Sequence, residues 1–208
     1  MTSTVTTADA MRPRRSVLYM PGANARAMEK ARELACDAII FDLEDAVAPD
    51  AKDSARAQVT AAIRAGGYGH RELIVRVNGL DTPWARADLA AAAQLPIDAV
   101  LLPKIESGDQ VRACTAWLAA TPAAALPLWV MIETPRGVLA IEQILTNEPR
   151  VAVAVMDTSD LVKELRARHT DDRRALVPSL AHCVLVARAC NRVVLDGVHL
   201  DFRDAESF

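Results

Sequence analysis

Aromatic side chains are scarce in this chain: three Trp, two Tyr and three Phe make up 4% of 208 residues. A core with so few rings must be filled by Ala, Val, Leu and Ile, the composition that helix-covered parallel sheets prefer. Excess positive charge is missing too. The formal net charge is −3, and Arg64, Arg71 and Arg76 are scattered among acids, so the electrostatic footprint of a nucleic-acid binder is absent. No apolar run approaches the ~20 residues of a bilayer-spanning helix, and no membrane partner is expected. The Thr-rich start lacks the apolar stretch of a signal peptide, and the expectation is a frayed tail over residues 1–14 on a cytoplasmic protein. Cys36, Cys114, Cys183 and Cys190 have no CxxC spacing and lie in apolar helical contexts, so reduced core thiols are expected rather than a disulfide framework. Without a nucleophile elbow, a P-loop or GxGxxG, serine hydrolase, kinase and Rossmann dehydrogenase readings fall away.

What the chain does have is a repeated grammar. Ile39-Ile40-Phe41 runs into Asp42-Leu43-Glu44-Asp45, an apolar run closed by three acids. Short apolar runs of this kind read as strands buried on both faces of a parallel sheet. Charge at their carboxyl ends falls where α/β proteins place ligands. Strands are expected at Val17–Met20, Ala38–Leu43, Leu73–Val77, Ala99–Leu102, Leu128–Ile132, Val151–Val155 and Arg192–Asp196. Helical spacing covers Ala25–Ala35, Ala51–Ala65, Trp84–Gln94, Gln110–Ala120, Val138–Leu145, Ser159–Arg168 and Ser179–Cys190. This alternation implies right-handed βαβ units. Two architectures fit seven such units: a doubly wound open sheet, or a (β/α)8 TIM barrel lacking its eighth unit. Charge at the ends of nearly all strands favours the barrel, because an open sheet focuses its ligands at one switch point. The domain is expected to span residues 15–208, with Val17–Met20 as an unpaired edge.

Among the strand-end residues, Glu133 and Asp160 form a candidate metal pair: two hard carboxylates with open positions suit Mg²⁺. The competing reading makes either one a helix N-cap, although Glu is a poor cap. Arg76 offers a bidentate fork to a substrate carboxylate or carbonyl, and a salt bridge to Asp42, Glu44 or Asp45 is expected alongside. Asp42 and Glu44 share a strand face directed to the barrel mouth, whereas Asp45 is expected to cap or orient the following loop. Lys104 is either a cation for phosphate, enolate or carboxylate, or a solvated lysine. His199 could act as an acid–base group, but a lone His is more often structural; His70, His169 and His182 read as loop or helix residues.

The stretches Arg15-Ser16-Val17-Leu18-Tyr19-Met20-Pro21-Gly22-Ala23-Asn24, Phe41-Asp42-Leu43-Glu44-Asp45-Ala46-Val47-Ala48-Pro49, Val75-Arg76-Val77-Asn78-Gly79, Leu102-Pro103-Lys104-Ile105-Glu106-Ser107 and Ile132-Glu133-Thr134, with Lys52, Ala55 and Arg56, resemble the citrate lyase beta-subunit-like family of the aldolase/citrate lyase superfamily, which includes malyl-CoA lyases. The resemblance implies a Mg²⁺-dependent TIM-barrel lyase that cleaves or forms a carbon–carbon bond in a hydroxyacyl-CoA or citryl thioester, with a short 2-oxo acid as the other product. It implies Glu133 and Asp160 as metal ligands, Arg76 as the substrate grip, Asp42 and Glu44 as supports of the metal waters, and a homotrimer or hexamer. Two departures stand out. Asp157 replaces the family's usual Gly, where an Asp tolerates the left-handed region but adds charge. The eighth unit and C-terminal lid are absent, so the alternative expectation is a catalytically impaired paralogue that binds metal or acyl-CoA.

Overall fold

The computed structural model describes residues 12–199, 201, 203, 204 and 206. Residues 1–11 of the tail expected over 1–14 lie outside them. Arg12 and Arg14 do not fray: Arg14 donates to both oxygens of Glu72 at 2.6 and 2.8 Å, and Arg12 donates to the His70 carbonyl at 2.9 Å.

Strands and helices alternate throughout. The strands are β1 (Val17–Pro21), β2 (Ala38–Asp42), β3 (Glu72–Arg76), β4 (Ala99–Leu102), β5 (Leu128–Ile132), β6 (Val151–Met156) and β7 (Val193–Leu195). The helices are α1 (Ala25–Lys30), α2 (Lys52–Ala65), α3 (Ala85–Ala92), α4 (Gly108–Leu118), α5 (Pro135–Asn147), α6 (Thr158–Glu164) and α7 (Val177–Ala189), with a 3-10 turn at Pro49–Ala51. Local chemistry sets the helix starts. Ser107 and Gln110 form a reciprocal capping box on α4, and the Thr134 hydroxyl accepts the Gly137 N–H at the start of α5, where Pro135 suits the first turn. Among the described residues no helix is long and apolar enough to cross a membrane.

All seven strands pair in parallel, in sequence order from β1 to β7. A doubly wound sheet must reverse its strand order at a switch point, so this singly wound order excludes it. Alternating side chains build two apolar layers. One face of the sheet (Phe41, Val75, Leu102, Val130) packs on helix residues such as Val59, Val111 and Ile141. The other face (Ile40, Leu101, Trp129, Val153) meets Val17 and Tyr19 from β1 and Val193 and Leu195 from β7. Both outermost strands contribute to one inner cluster because the sheet curls around it. Between β1 and β7 the curl stays open: a cleft of about 960 Å³ is lined by Tyr19 on one side and Leu195 on the other, with Asp157 and Arg173 also lining it.

Towards the amino ends of the strands Arg14 lies against the inner layer. The Arg14 guanidinium, anchored on Glu72, lies 5.2 Å from the Trp129 ring centroid. Trp129 is fully buried and is the largest side chain in the inner layer. Truncating it leaves a cavity that the curled sheet cannot collapse onto without losing its curvature. Trp129→Ala is therefore expected to destabilise the fold by about 3–5 kcal/mol, measured as a lower urea midpoint followed by far-UV circular dichroism.

Candidate functional site

At the opposite, carboxyl ends of the strands, charge collects. Asp42 closes β2 and stands in register beside Arg76, which closes β3. Arg76 Nε donates to Asp42 Oδ1 at 2.7 Å and Nη2 donates to Oδ2 at 2.5 Å, a bidentate pair whose side chains are 6% and 3% exposed. The remaining nitrogen, Nη1, lies 3.1 Å from Glu44 Oε2 and 3.3 Å from Asp45 Oδ2. The Tyr19 ring centroid is 5.3 Å from the guanidinium carbon. Burial works against the guanidinium charge, but the hydrogen bonds and charge of Asp42 more than offset it and hold the Arg76 pKa above its ordinary value. Asp42 also shapes the loop that follows, because its two oxygens accept the N–H groups of Glu44 (2.8 Å) and Ala46 (3.1 Å).

Lys104 is the second cation. It follows Pro103 beyond β4 in the left-handed region, at φ 51°. For a residue with a side chain that conformation costs about 1–2 kcal/mol. The conformation accompanies a backbone contact, in which the Lys104 N–H donates to Glu133 Oε1 at 2.5 Å. The ammonium donates to Glu44 Oε1 and to Asp160 Oδ2, both at 3.1 Å, and lies 3.9 Å from Glu133 Oε2. Glu133 follows β5 and is 1% exposed, and its Oε2 has no hydrogen-bond donor. Burial pushes the Glu133 carboxyl up to about 7, with Lys104 pulling in the other direction. Burial likewise raises Glu44, opposed by Arg76. Burial disfavours the Lys104 ammonium, yet Glu133 and Glu44 together keep its pKa above normal.

A tier of buried polar groups holds these residues in place. Lys52 Nζ donates to the carbonyls of Leu43 (2.8 Å) and Glu44 (2.7 Å), fixing the loop that carries Glu44. Asn78 Nδ2 donates to the same Leu43 carbonyl at 3.0 Å and to Asp88 Oδ2 at 2.6 Å. Gly22 donates its N–H to the Asp42 carbonyl, and a Cβ there would stand 2.7 Å from that oxygen. A Cβ at Gly137 would stand 2.6 Å from the Ile105 carbonyl, so the start of α5 presses directly on the Lys104 loop.

The structure thus brings Asp42, Glu44, Arg76, Lys104, Glu133 and Asp160 into one network. Four expectations change in detail. The Arg76 fork is spent on Asp42, and Nη1, the one nitrogen outside it, is shared between Glu44 and Asp45. Asp42, not Asp45, orients the loop after β2, because the strand register already places its oxygens beside the following N–H groups. Neither Glu133 nor Asp160 is an N-cap: Thr134 caps α5 and Asp157 caps α6, accepting from Ser159 and Asp160. Asp157 has φ −106° and needs no left-handed tolerance. His199 stands apart, its Nε2 2.7 Å from the Asp201 carbonyl. The anchoring roles of Lys52 and Asn78 were not anticipated, although both lie within the stretches that carry the family resemblance. Among the described residues no three His, Cys, Asp or Glu side chains converge into a ready metal cage.

Residues 15–208 match the HpcH/HpaI aldolase/citrate lyase family, and the chain belongs to it. It is 49% identical over 93% of its length to a (3S)-malyl-CoA thioesterase of Cereibacter sphaeroides, and spans 66% of that protein. It is 35% identical over 76% of its length to an L-malyl-CoA/beta-methylmalyl-CoA lyase of the same organism, spanning 52% of it. Among solved structures it is similar to the citrate lyase beta subunit of M. tuberculosis complexed with oxaloacetate and magnesium: TM-score 0.76, 30% identity, covering 91% of this chain and 81% of that one. The chain therefore spans about two thirds of the length of the malyl-CoA thioesterase it matches.

Removing the buried guanidinium leaves Asp42 without its ion-pair partner and Glu44 with Lys104 alone. Arg76→Met is expected to lower stability by about 3–5 kcal/mol in urea denaturation. Arg76→Met with Asp42→Asn should recover a large part of the loss, because no isolated charge then stays buried.

Proposed function

We propose that this member of the HpcH/HpaI aldolase/citrate lyase family acts on a short hydroxyacyl-CoA of the malyl-CoA kind, breaking or forming a carbon–carbon bond with Mg²⁺ held by Glu133 and Asp160. The observation that carries the reading is Glu133 Oε2, a buried carboxylate oxygen without a donor, in a place where an ammonium already serves Asp160 and Glu44. A hard cation fits that donor set. Mg²⁺ takes few protein carboxylates and completes its shell with water and substrate oxygens, which suits a site with two ligands rather than a cage. The similarity to a citrate lyase beta subunit whose solved complex contains oxaloacetate and magnesium supports the same choice.

When bound, the ion would supply Lewis-acid polarisation of the substrate's hydroxyl and carboxylate oxygens. The protein's own residues do the rest. Glu133 is held by the Lys104 N–H, which keeps one oxygen occupied and leaves the other for the cation. In the cleavage direction the substrate hydroxyl gives its proton to solvent water, its oxygen becomes the carbonyl of the 2-oxo acid, and the bond between the carbinol carbon and the methylene carbon breaks. That electron pair passes to the thioester as an enolate, which then takes up a proton. Arg76 stabilises the developing enolate oxygen through Nη1, whose 3.3 Å contact with the exposed Asp45 gives way to the substrate, and Asp42 holds the rest of the guanidinium in place as charge develops. In the metal-free protein Glu44 bridges Arg76 and Lys104.

A second reading shares the substrate but not the bond. The 49% identity to a (3S)-malyl-CoA thioesterase favours hydrolysis of the thioester, releasing malate and free CoA. Incubation with malyl-CoA and Mg²⁺ separates the readings: glyoxylate with acetyl-CoA marks the lyase, and malate with CoA marks the thioesterase. Mg²⁺ binding without either product marks the impaired paralogue.

Two outcomes are expected of the metal. Glu133→Gln keeps shape and removes a hard anion, so the Mg²⁺ dissociation constant measured by calorimetry should rise at least tenfold or so with little change in fold. The pH dependence follows from the carboxyl pKa of about 7, raised above 4.5. Below 7 a proton competes with the ion, so Mg²⁺ affinity should fall about tenfold from pH 8 to pH 6. In the metal-free protein the raised pKa means that the Glu133 contribution to stability is fully present below about 4.5 and is lost as pH rises through 7.

A further inference from the structure

We infer that Lys104 is an internal place-holder cation: its ammonium occupies the carboxylate site in the metal-free protein, and a divalent ion binds only by displacing it. The inference rests on the metal reading above and adds to it the element that sets the affinity. Its first support is position. One Nζ reaches Glu44 Oε1 and Asp160 Oδ2 at 3.1 Å each and Glu133 Oε2 at 3.9 Å, so the lysine spans the two proposed ligands and their neighbour from the centre. An ammonium and a divalent cation bound by the same oxygens cannot both hold that centre.

The second support is how the lysine is carried. Its backbone is set in the left-handed region with the N–H on Glu133 Oε1, so the residue is anchored at its main chain. Its side chain is 45% exposed, and the four-carbon stem leaves a path to solvent. An anchored root with a mobile tip is suited to exchange. The tip can leave without disturbing the backbone contact that orients Glu133.

The third support is charge balance. Asp42, Glu44, Glu133 and Asp160 are four acids served by Arg76 and Lys104, and Arg76 is fully engaged with Asp42, Glu44 and Asp45. Among the described residues Lys104 is the cation paired with both Glu133 and Asp160. The ammonium therefore supports the empty fold and opposes the ion. Once displaced, it stands at the rim of the site, where a cation can meet the anionic end of an incoming acyl substrate.

Lys104→Met, which keeps length and apolar stem, tests this. Calorimetric titration with MgCl2 should show Mg²⁺ binding tightened by about tenfold or more. The thermal midpoint of the variant should fall below the parent's without Mg²⁺ and recover with it. A second measurement needs no variant. Amine labelling of the parent, mapped by mass spectrometry, should show Lys104 reacting several-fold faster with Mg²⁺ present, while the exposed Lys30 and Lys163 keep their rates. Equal Mg²⁺ affinity in parent and variant, or a Lys104 labelling rate that Mg²⁺ leaves unchanged although it binds, overturns the place-holder and leaves the metal reading intact. If neither protein binds Mg²⁺, the metal reading falls and this inference falls with it.

Discussion

Like charge gathered at one end of a parallel sheet is the constraint on which this structure turns. Strands that point the same way bring their terminal acids to the same rim, and Asp42, Glu44, Glu133 and Asp160 are all delivered there. Carboxylates taken out of water cannot remain near one another uncompensated. The bidentate bond between Arg76 and Asp42 answers this at the β2–β3 boundary, and the Lys104 ammonium answers it on the other side. Lys52, Asn78, Gly22 and Gly137 make sense as the means of keeping those two cations and their acids in register. Each ties a loop to a carbonyl or admits a close backbone approach.

Much of the architecture was legible in the sequence, for a physical reason. Strands buried on both faces are nearly pure apolar runs, so β4 and β5 occupy the residues expected from the sequence. Helix starts were less visible. The start of α5 lies three residues before the expected one, at Pro135, because Thr134 caps it, and α4 starts at Gly108 because Ser107 and Gln110 cap it together. The short α1 ends at Lys30, where an Ala-rich pattern suggested more. In each case hydrogen bonds at the ends overrode the average preference of the segment.

The members of the charged cluster were legible as well, since each lies at or within four residues of the carboxyl end of an apolar strand. Who pairs with whom was not. The partnership of Asp42 with Arg76 is a property of the β2–β3 register, and a sequence does not print its registers. The left-handed backbone at Lys104 has no marker other than the Pro before it, and the Gly, Asn or Asp that would have flagged it is absent. The family resemblance named these residues without saying that the Arg76 fork is already occupied. That detail changes the chemistry, because a guanidinium with a single nitrogen outside the Asp42 fork can turn to one oxygen rather than clasp a carboxylate.

The sequential order of the strands has a consequence for how the molecule is made. Each strand pairs with the one synthesised just before it, so the sheet can grow from the ribosome one unit at a time without waiting for a distant partner. Arg76 emerges 34 residues after Asp42, soon enough to neutralise it as β3 docks. Lys104 is translated before Glu133 and Asp160, so the cation is waiting when the later acids arrive. Translation order therefore runs in the same direction as charge compensation. A circular permutant opened between Lys104 and β5 would reverse that sequence of events and present the nascent sheet with Glu133 and Asp160 before either cation exists.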